Sequence, residues 1–367
     1  MRAPIYLDYN ATAPLRPAVR ARVADALDRF GNPSSIHRAG RAARALIEDA
    51  RERVATAVNA APAQVVFTSG GTEANGLALR GIAHSAVIAC GIEHVSVLAH
   101  VSDANRIAAT PDGRIDLAAL EAKLAVTPDA LVAIMLANNE TGAIQPVTEV
   151  VALARQFGAK VHCDAVQALG KMPIDLKTLG VDSVSLSAHK IGGLKGAGAL
   201  VLAPGVEPAA EMVGGGQERR RRAGTENTVG IAAFGAAAED VPALLQAMPQ
   251  VTALRDRLEA ALHGVATFGT TGPRLGNTAC FALAGQSSES RLIALDLAGI
   301  AVSAGSACSS GKVAASHVLL AMGISADLAN CALRVSLGWE TTAAEIDAFL
   351  GAFSGAWGRA LADTAGT

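Results

Sequence analysis

Ser183-Val184-Ser185-Leu186-Ser187-Ala188-His189-Lys190 reads as an apolar strand that stops at a lysine, and the glycine-rich Gly192-Gly193-Leu194-Lys195-Gly196 follows at once. A lysine at the end of a buried strand, among hydroxyl, imidazole and glycine, is badly placed for a solvated charge. It is well placed to form a Schiff base with an aldehyde cofactor. Similar apolar runs lie at Gln64 to Thr68, Ala86 to Cys90, Ala130 to Ala137, Lys160 to Ala165 and Ala197 to Ala203. Helical patterns separate them. From Ser34 to Ala60 apolar residues recur at Ala43, Leu46, Ile47, Ala50, Val54, Ala57 and Val58, with a cap at Ser34 or Ser35. Thr148 to Phe157 forms another, with a threonine cap and Gly158 at its end. Continuous apolar strands alternating with helices predict an α/β fold whose mainly parallel sheet is covered on both faces.

Beyond Asp240 the texture changes. A helix is expected to open at Pro249 and run through Leu262, then a strand around Cys280 to Leu283, a helix around Ser290 to Leu297 and a strand at Ile300 to Ser303. Thr342-x-x-Glu345 is a capping box introducing a C-terminal helix. This reads as a second, smaller α/β unit.

The 31 Lys and Arg against 33 Asp and Glu give a formal charge of -2, so no global attraction to nucleic acid or to an anionic membrane is expected. The longest apolar stretches, such as Val229 to Ala238, fall well short of the ~20 residues that span a bilayer. Met1 to Asp8 lacks the apolar core of a signal peptide. A soluble cytoplasmic protein is expected. The five cysteines, at 90, 163, 280, 308 and 331, are odd in number and scattered, which argues against a disulfide framework and a conventional zinc site.

Several segments carry chemistry. Ser69-Gly70-Gly71-Thr72-Glu73 follows a strand and opens a helix, so its amides and the Thr72 hydroxyl suit a phosphate, or simply a turn. Asp164, inside Val161-His162-Cys163-Asp164-Ala165-Val166, needs a partner when buried. A pyridinium nitrogen is one candidate, a helix start the other. His94 suits stacking on a flat ring or relaying a proton, or a purely structural place. Asn138-Asn139-Glu140 either donates to a ligand or makes a turn. Arg334, in Leu333-Arg334-Val335, matches a carboxylate as a two-pronged donor. Cys308 lies in Ala304-Gly305-Ser306-Ala307-Cys308-Ser309-Ser310-Gly311, a run of small residues that packs weakly, and is read as a nucleophile.

Together with Leu7-Asp8-Tyr9-Asn10-Ala11-Thr12, Asp164-Ala165-Val166-Gln167 and Gly224-Thr225-Glu226-Asn227, these segments resemble, in this order, the class V aminotransferase-like family and within it the cysteine desulfurases. The resemblance runs from Tyr6 to about Leu350. It implies pyridoxal-phosphate fold type I, with a large cofactor-binding domain over 13–245 and a small domain made of 1–12 and 246–367 that carries the Cys308 loop. It makes Lys190 the Schiff-base lysine and Asp164 the partner of the ring nitrogen. Gln167 would bond the ring hydroxyl, His94 would stack on the ring, and Gly71, Thr72, Ser187 and His189 would hold the phosphate. Asn139 and Arg334 would bind the substrate carboxylate. Thr225 would reach the phosphate of a neighbouring subunit, which implies a homodimer with shared sites. The implied reaction takes sulfur from L-cysteine, leaving L-alanine and a persulfide on Cys308 for a sulfur acceptor or iron-sulfur scaffold protein. No resident metal is expected, Cys308 being at most a transient ligand to an iron-sulfur cluster. The same fold also serves aminotransferases, lyases and selenocysteine lyases, which form the alternative reading. The run Arg219-Arg220-Arg221-Arg222 reads as a solvated face, as positive potential near the phosphate, or as a site for an acidic partner.

Overall fold

A computed structural model describes residues 4–305 and 315–363, with side chains described as far as 354. Its central feature is a seven-stranded sheet. In spatial order the strands are Val65–Thr68, Gly198–Leu202, Ser183–Ser187, Lys160–Asp164, Leu131–Met135, Val87–Cys90 and Arg106–Ile107. The last five run parallel; Gly198–Leu202 is antiparallel to both of its neighbours. Strands such as Leu131–Met135 are buried along their whole length, which is why they read as unbroken apolar runs. The two-residue edge strand Arg106–Ile107 carries no such pattern and was not legible.

The helix predicted over 34–60 spans Arg38–Ala57, and its cap is His37, whose side chain accepts from the Gly40 amide, in place of a serine. The helix Val147–Gln156 starts after Pro146 without a threonine cap. Pro249 does not open a helix: it lies inside one that begins at Val241 and runs to Ala260. Pro242, in the first turn where the missing N–H is harmless, is the real start signal. The Thr342–Glu345 box is formed, the Thr342 amide donating to Glu345 Oε2 at 2.7 Å and the Glu345 amide to Thr342 Oγ1 at 3.3 Å.

A second sheet, ordered Ser303–Ala304, Ala332–Ser336, Thr278–Ala282 and Ala266–Phe268, is antiparallel throughout. The N-terminal Ile5–Tyr6 pairs beside it with Ile300–Ala301. Its own core gathers Leu7, Leu258, Phe281, Phe349 and Phe353, separate from the core around the large sheet. Among the described residues, no single helix is long and apolar enough to cross a membrane. Gly198 lets the turn after the first sheet strand come close, since a Cβ there would lie 2.6 Å from the Gly70 backbone. The phosphate-type turn is thereby seated directly on the sheet.

Candidate active site

In the parallel part of the sheet every strand points its carboxyl end to the same side, where ligands of open α/β sheets bind. Cys90 leads to His94, Met135 to Asn139, Lys160–Asp164 ends on Asp164, and Ser187 passes into a short 3-10 turn, Ala188–Lys190. These ends enclose a cleft of about 280 Å³. Gly71 and Thr72, at the N-terminus of the Gly71–Gly81 helix, close one end; Ser187 and His189 line it nearby. Asp164, Gln167, His94, Asn139 and Lys190 form the rest of the polar wall. Of the residues expected around the cofactor, Thr225 alone does not line this cleft, and it is exposed. Cys308 lies outside the described residues.

Asp164 is 7 % exposed and is held by two donors: Asn75 Nδ2 reaches Oδ2 at 2.7 Å and the Val166 amide reaches Oδ1 at 3.0 Å. The first donor begins a chain. Asn75 turns its carbonyl to His162 Nε2 at 3.0 Å, so that nitrogen must carry the proton, and Nδ1 then accepts from the Ser183 hydroxyl at 2.8 Å. Asn75 and His162 were not singled out in the sequence. Asn75 sits on the helix one turn beyond Gly71, a position no local pattern distinguishes from core filling.

His94 is half-buried and caps the short helix Val95–Leu98, Nδ1 accepting from the Ser96 amide at 3.2 Å. Burial lowers its pKa, Lys190 and His317 add to this, and Asp164 opposes it. His317 lies close because its Nε2 donates to the Glu93 carbonyl at 2.9 Å. The amine of Lys190 donates to the carbonyls of Asn10 and Ala11, the latter at 2.9 Å. Asn10 also takes Gln167 Nε2 on its carbonyl at 2.9 Å, and its side-chain oxygen takes Lys171 Nζ at 2.8 Å. The N-terminal segment thus supplies the backbone that aims the lysine.

Arg334 is 3 % exposed, and its placement modifies the sequence expectation. Nη2 is paired with Asp8 at 2.6 Å and Nη1 donates to the Asn139 carbonyl at 3.1 Å, so the fork is already engaged. Nε is buried with no hydrogen-bond partner among the described residues. The arginine run is not a plain solvated face either: Arg221 pairs with Glu207, and Arg222 pairs with Glu73 at 2.8 Å in the first turn of the Gly71–Gly81 helix.

The site fits pyridoxal phosphate on its own geometry. A carboxylate fixed by two donors, an amine, an imidazole and a helix N-terminus face one cleft near the lower end of the roughly 300–1,000 Å³ range of ligand pockets. At Gly71 a Cβ would sit 2.6 Å from Val166 Cγ2, so the turn admits no side chain.

His162, buried, and His189, half-buried, make a pH prediction. Burial pushes His162 down to about 4 against the pull of Asp164, and burial followed by Lys190 pushes His189 to about 4. Folded values below the unfolded ~6.5 mean that their stabilising contribution is complete above that pH and is lost as pH falls toward 4. For His162 the loss is on the order of 3 kcal/mol. Glu140, raised to about 7 by burial, acts in the opposite sense as pH rises from ~4.5. Urea unfolding at pH 7 and pH 4.5 should therefore show a smaller difference for His162→Gln than for the unaltered protein; equal differences would exclude His162 as a source.

Residues 5–349 match the Aminotransferase class-V family. The chain is 39% identical over 367 residues to a cysteine desulfurase IscS of Dictyoglomus turgidum (strain DSM 6724 / Z-1310), covering 95% of this chain and 93% of that protein. It is 43% identical over 365 residues to a cysteine desulfurase of Cereibacter sphaeroides, covering 94% of each. Among solved structures, a NifS-like protein from Rickettsia africae ESF-5 superposes with a TM-score of 0.89 at 34% identity, over 96% of this chain and 99% of that one.

Proposed function

The chain belongs to the class-V aminotransferase family and, within it, to the cysteine desulfurases, and from that premise we propose that it takes the sulfur of L-cysteine and carries it as a persulfide on Cys308. The observation that carries the assignment of roles is the convergence of Lys190, Asp164 and His94 on one cleft at the strand ends. When bound, pyridoxal phosphate supplies the electron-withdrawing ring that lets a proton leave Cα of an amino acid. Asp164 would hold the ring nitrogen, Gln167 the ring hydroxyl, His94 the ring face, and Gly71, Thr72, Ser187 and His189 the phosphate.

The Asn75–His162–Ser183 chain keeps the Asp164 carboxylate oriented, and the neutral state of His162 leaves no competing positive charge behind it. Lys190 Nζ receives the Cα proton and returns it to the product. Asn139 and Arg334 bind the substrate carboxylate, with Asp8 holding the guanidinium in place. The Cys308 thiolate attacks the substrate sulfur: a sulfur–sulfur bond forms, the Cβ–sulfur bond breaks, and its electron pair ends on Cβ, which takes a proton. The balance is one L-cysteine and one thiol giving L-alanine and one persulfide, with no external oxidant. A thiol with an ordinary pKa near ~8.5 is mostly protonated at neutral pH, so attack requires its deprotonation on approach.

A homodimer with shared sites belongs to the same proposal. Thr225 is exposed away from its own cleft, two residues after Ala223, whose amide donates to the carbonyl of the exposed Met212. Transfer of the persulfide sulfur to an acceptor or iron-sulfur scaffold protein completes it. A cytoplasmic location accords with Cys90, Cys163, Cys280 and Cys331 all being buried free thiols.

The test is to incubate the holoenzyme with L-cysteine, measure alanine, and weigh the peptide containing Cys308. Alanine with one added sulfur on Cys308 is expected. No alanine overturns the function, and alanine without the added sulfur overturns the role of Cys308. In Cys308→Ala, alanine formation is expected to fall at least about 1,000-fold. Full turnover by that variant would indicate a different pyridoxal enzyme.

A further inference from the structure

Lys171 is partly buried and does not line the cleft, and the reaction as derived so far gives it no part. The chain around it makes a helical turn, in which the Leu169 amide bonds the Ala165 carbonyl at 3.2 Å and the Met172 amide the Ala168 carbonyl at 3.0 Å. Residues four apart share one side of such a turn, so Lys171 meets Gln167. Its amine donates to Gln167 Oε1 at 2.7 Å and to Asn10 Oδ1 at 2.8 Å. Gln167 Nε2 in turn donates to the Asn10 carbonyl at 2.9 Å, and the three bonds close a ring. The same Asn10 carbonyl takes the Lys190 amine.

This ring decides which way the Gln167 amide faces. A flipped amide would set its oxygen against the Asn10 carbonyl, which has no proton to give, and its own protons against the Lys171 amine. Gln167 lines the cleft and Lys171 does not, so the amide oxygen is turned away from the cleft and the second proton of Nε2 is what remains to offer there. A lysine is a costly choice for such a place. Its two acceptors are neutral amide oxygens, and burial together with the like charges of Lys190 and Arg334 pushes its pKa well below the ordinary value. Packing alone would be served by methionine, which has no charge to bury.

We propose that Lys171 is a positioning residue that holds Gln167 as a hydrogen-bond donor toward the ring hydroxyl of the cofactor. The proposal rests on the reading that places Gln167 at that hydroxyl. An N–H donated to an ionised oxygen is worth about tenfold or more in binding, whereas an amide oxygen turned to the same atom would repel it.

The experiment loads the full chain with pyridoxal phosphate or with its analogue lacking the ring hydroxyl, and measures the dissociation constant of each from cofactor absorbance on dilution. The ratio of the two constants is the preference for the hydroxyl. Gln167→Ala is expected to lower that preference about tenfold. Lys171→Met is expected to lower it at least about threefold while changing the constant for the analogue by less than about twofold. The Lys171→Met/Gln167→Ala pair should lose no more preference than Gln167→Ala, because both act through one contact.

An unchanged preference in Lys171→Met beside a lowered one in Gln167→Ala overturns the role of Lys171 alone. So does a pair that loses several-fold more than Gln167→Ala, or an equal loss of affinity for both cofactors in Lys171→Met, which reports a damaged pocket. Full preference in Gln167→Ala removes Gln167 from the hydroxyl and the proposal with it, and an unaltered chain that retains neither cofactor overturns the functional reading itself. If Lys171→Met does not fold, Lys171→Gln decides: its amide falls one bond short of the lysine nitrogen, so an unchanged preference there overturns the proposal.

Discussion

Lys190→Ala is expected to lower alanine formation from L-cysteine by at least about 1,000-fold, because it removes both the covalent attachment for the cofactor and the base at Cα. The amine lines the cleft and is aimed by the carbonyls of Asn10 and Ala11. Lys171 is the nearby rival: its amine shares Asn10 with Lys190 but is bound by the Asn10 and Gln167 side-chain oxygens, and it does not line the cleft. Burial lowers its pKa well below the ordinary lysine value, and the nearby charges of Lys190 and Arg334 push it the same way. It is held too firmly to replace the missing group. Borohydride treatment of the loaded proteins gives a readout independent of turnover: cofactor mass fixed on residue 190 in the unaltered chain and no fixed mass in the variant. Comparable turnover in the variant, or fixation at another lysine in the unaltered chain, would refute the assignment.

Glu218→Ala is expected to cost about 3–5 kcal/mol of stability. Glu218 and Arg51 are 7 % and 6 % exposed and form a two-pronged pair at 2.7 and 2.8 Å. The same carboxylate takes the Phe67 amide at 2.9 Å, while Arg51 also donates to the Val65 carbonyl at 2.8 Å and lies over the Phe67 ring. Removing the carboxylate leaves a buried guanidinium whose remaining counter-charge is the partly exposed Glu48, 3.2 Å from Nε. It also releases a strained turn: Glu218, Arg219 and Arg220 all have left-handed φ, at 45°, 59° and 65°. Each such non-glycine residue costs on the order of 1 kcal/mol and persists only when its surroundings impose it. A lower urea midpoint at unchanged slope is the expected result, partly restored when Arg51→Met is added. A change under about 1 kcal/mol would show that the pair is not what holds the turn. The turn leads into Arg222, on Glu73, and on to Thr225, so its loosening should also weaken retention of the cofactor.

Six of the seven strands of the large sheet and their order along the chain could be read directly because they are buried along nearly their whole length and appear as largely apolar runs. Lys190, Asp164 and His94 were legible for a related reason. A charge or imidazole at the end of such a run is locally anomalous, and local anomalies survive in one dimension. What was not legible depends on residues far apart. Arg334 looked like an open fork until Asp8, at the other end of the chain, closed one side of it. Asn75 and His162 carry no anomaly of their own, yet they orient the carboxylate between them and the cleft. His37 displaced the two serines as a cap because the choice was settled by how the chain enters the helix. Residue types and their order along the chain determined the cofactor chemistry, since a lysine, an aspartate and a histidine at strand ends bring their protons and charges with them. Which partners hold those groups, and at what pKa, only the tertiary structure decided, because hydrogen bonds and desolvation depend on distance in space and not along the chain.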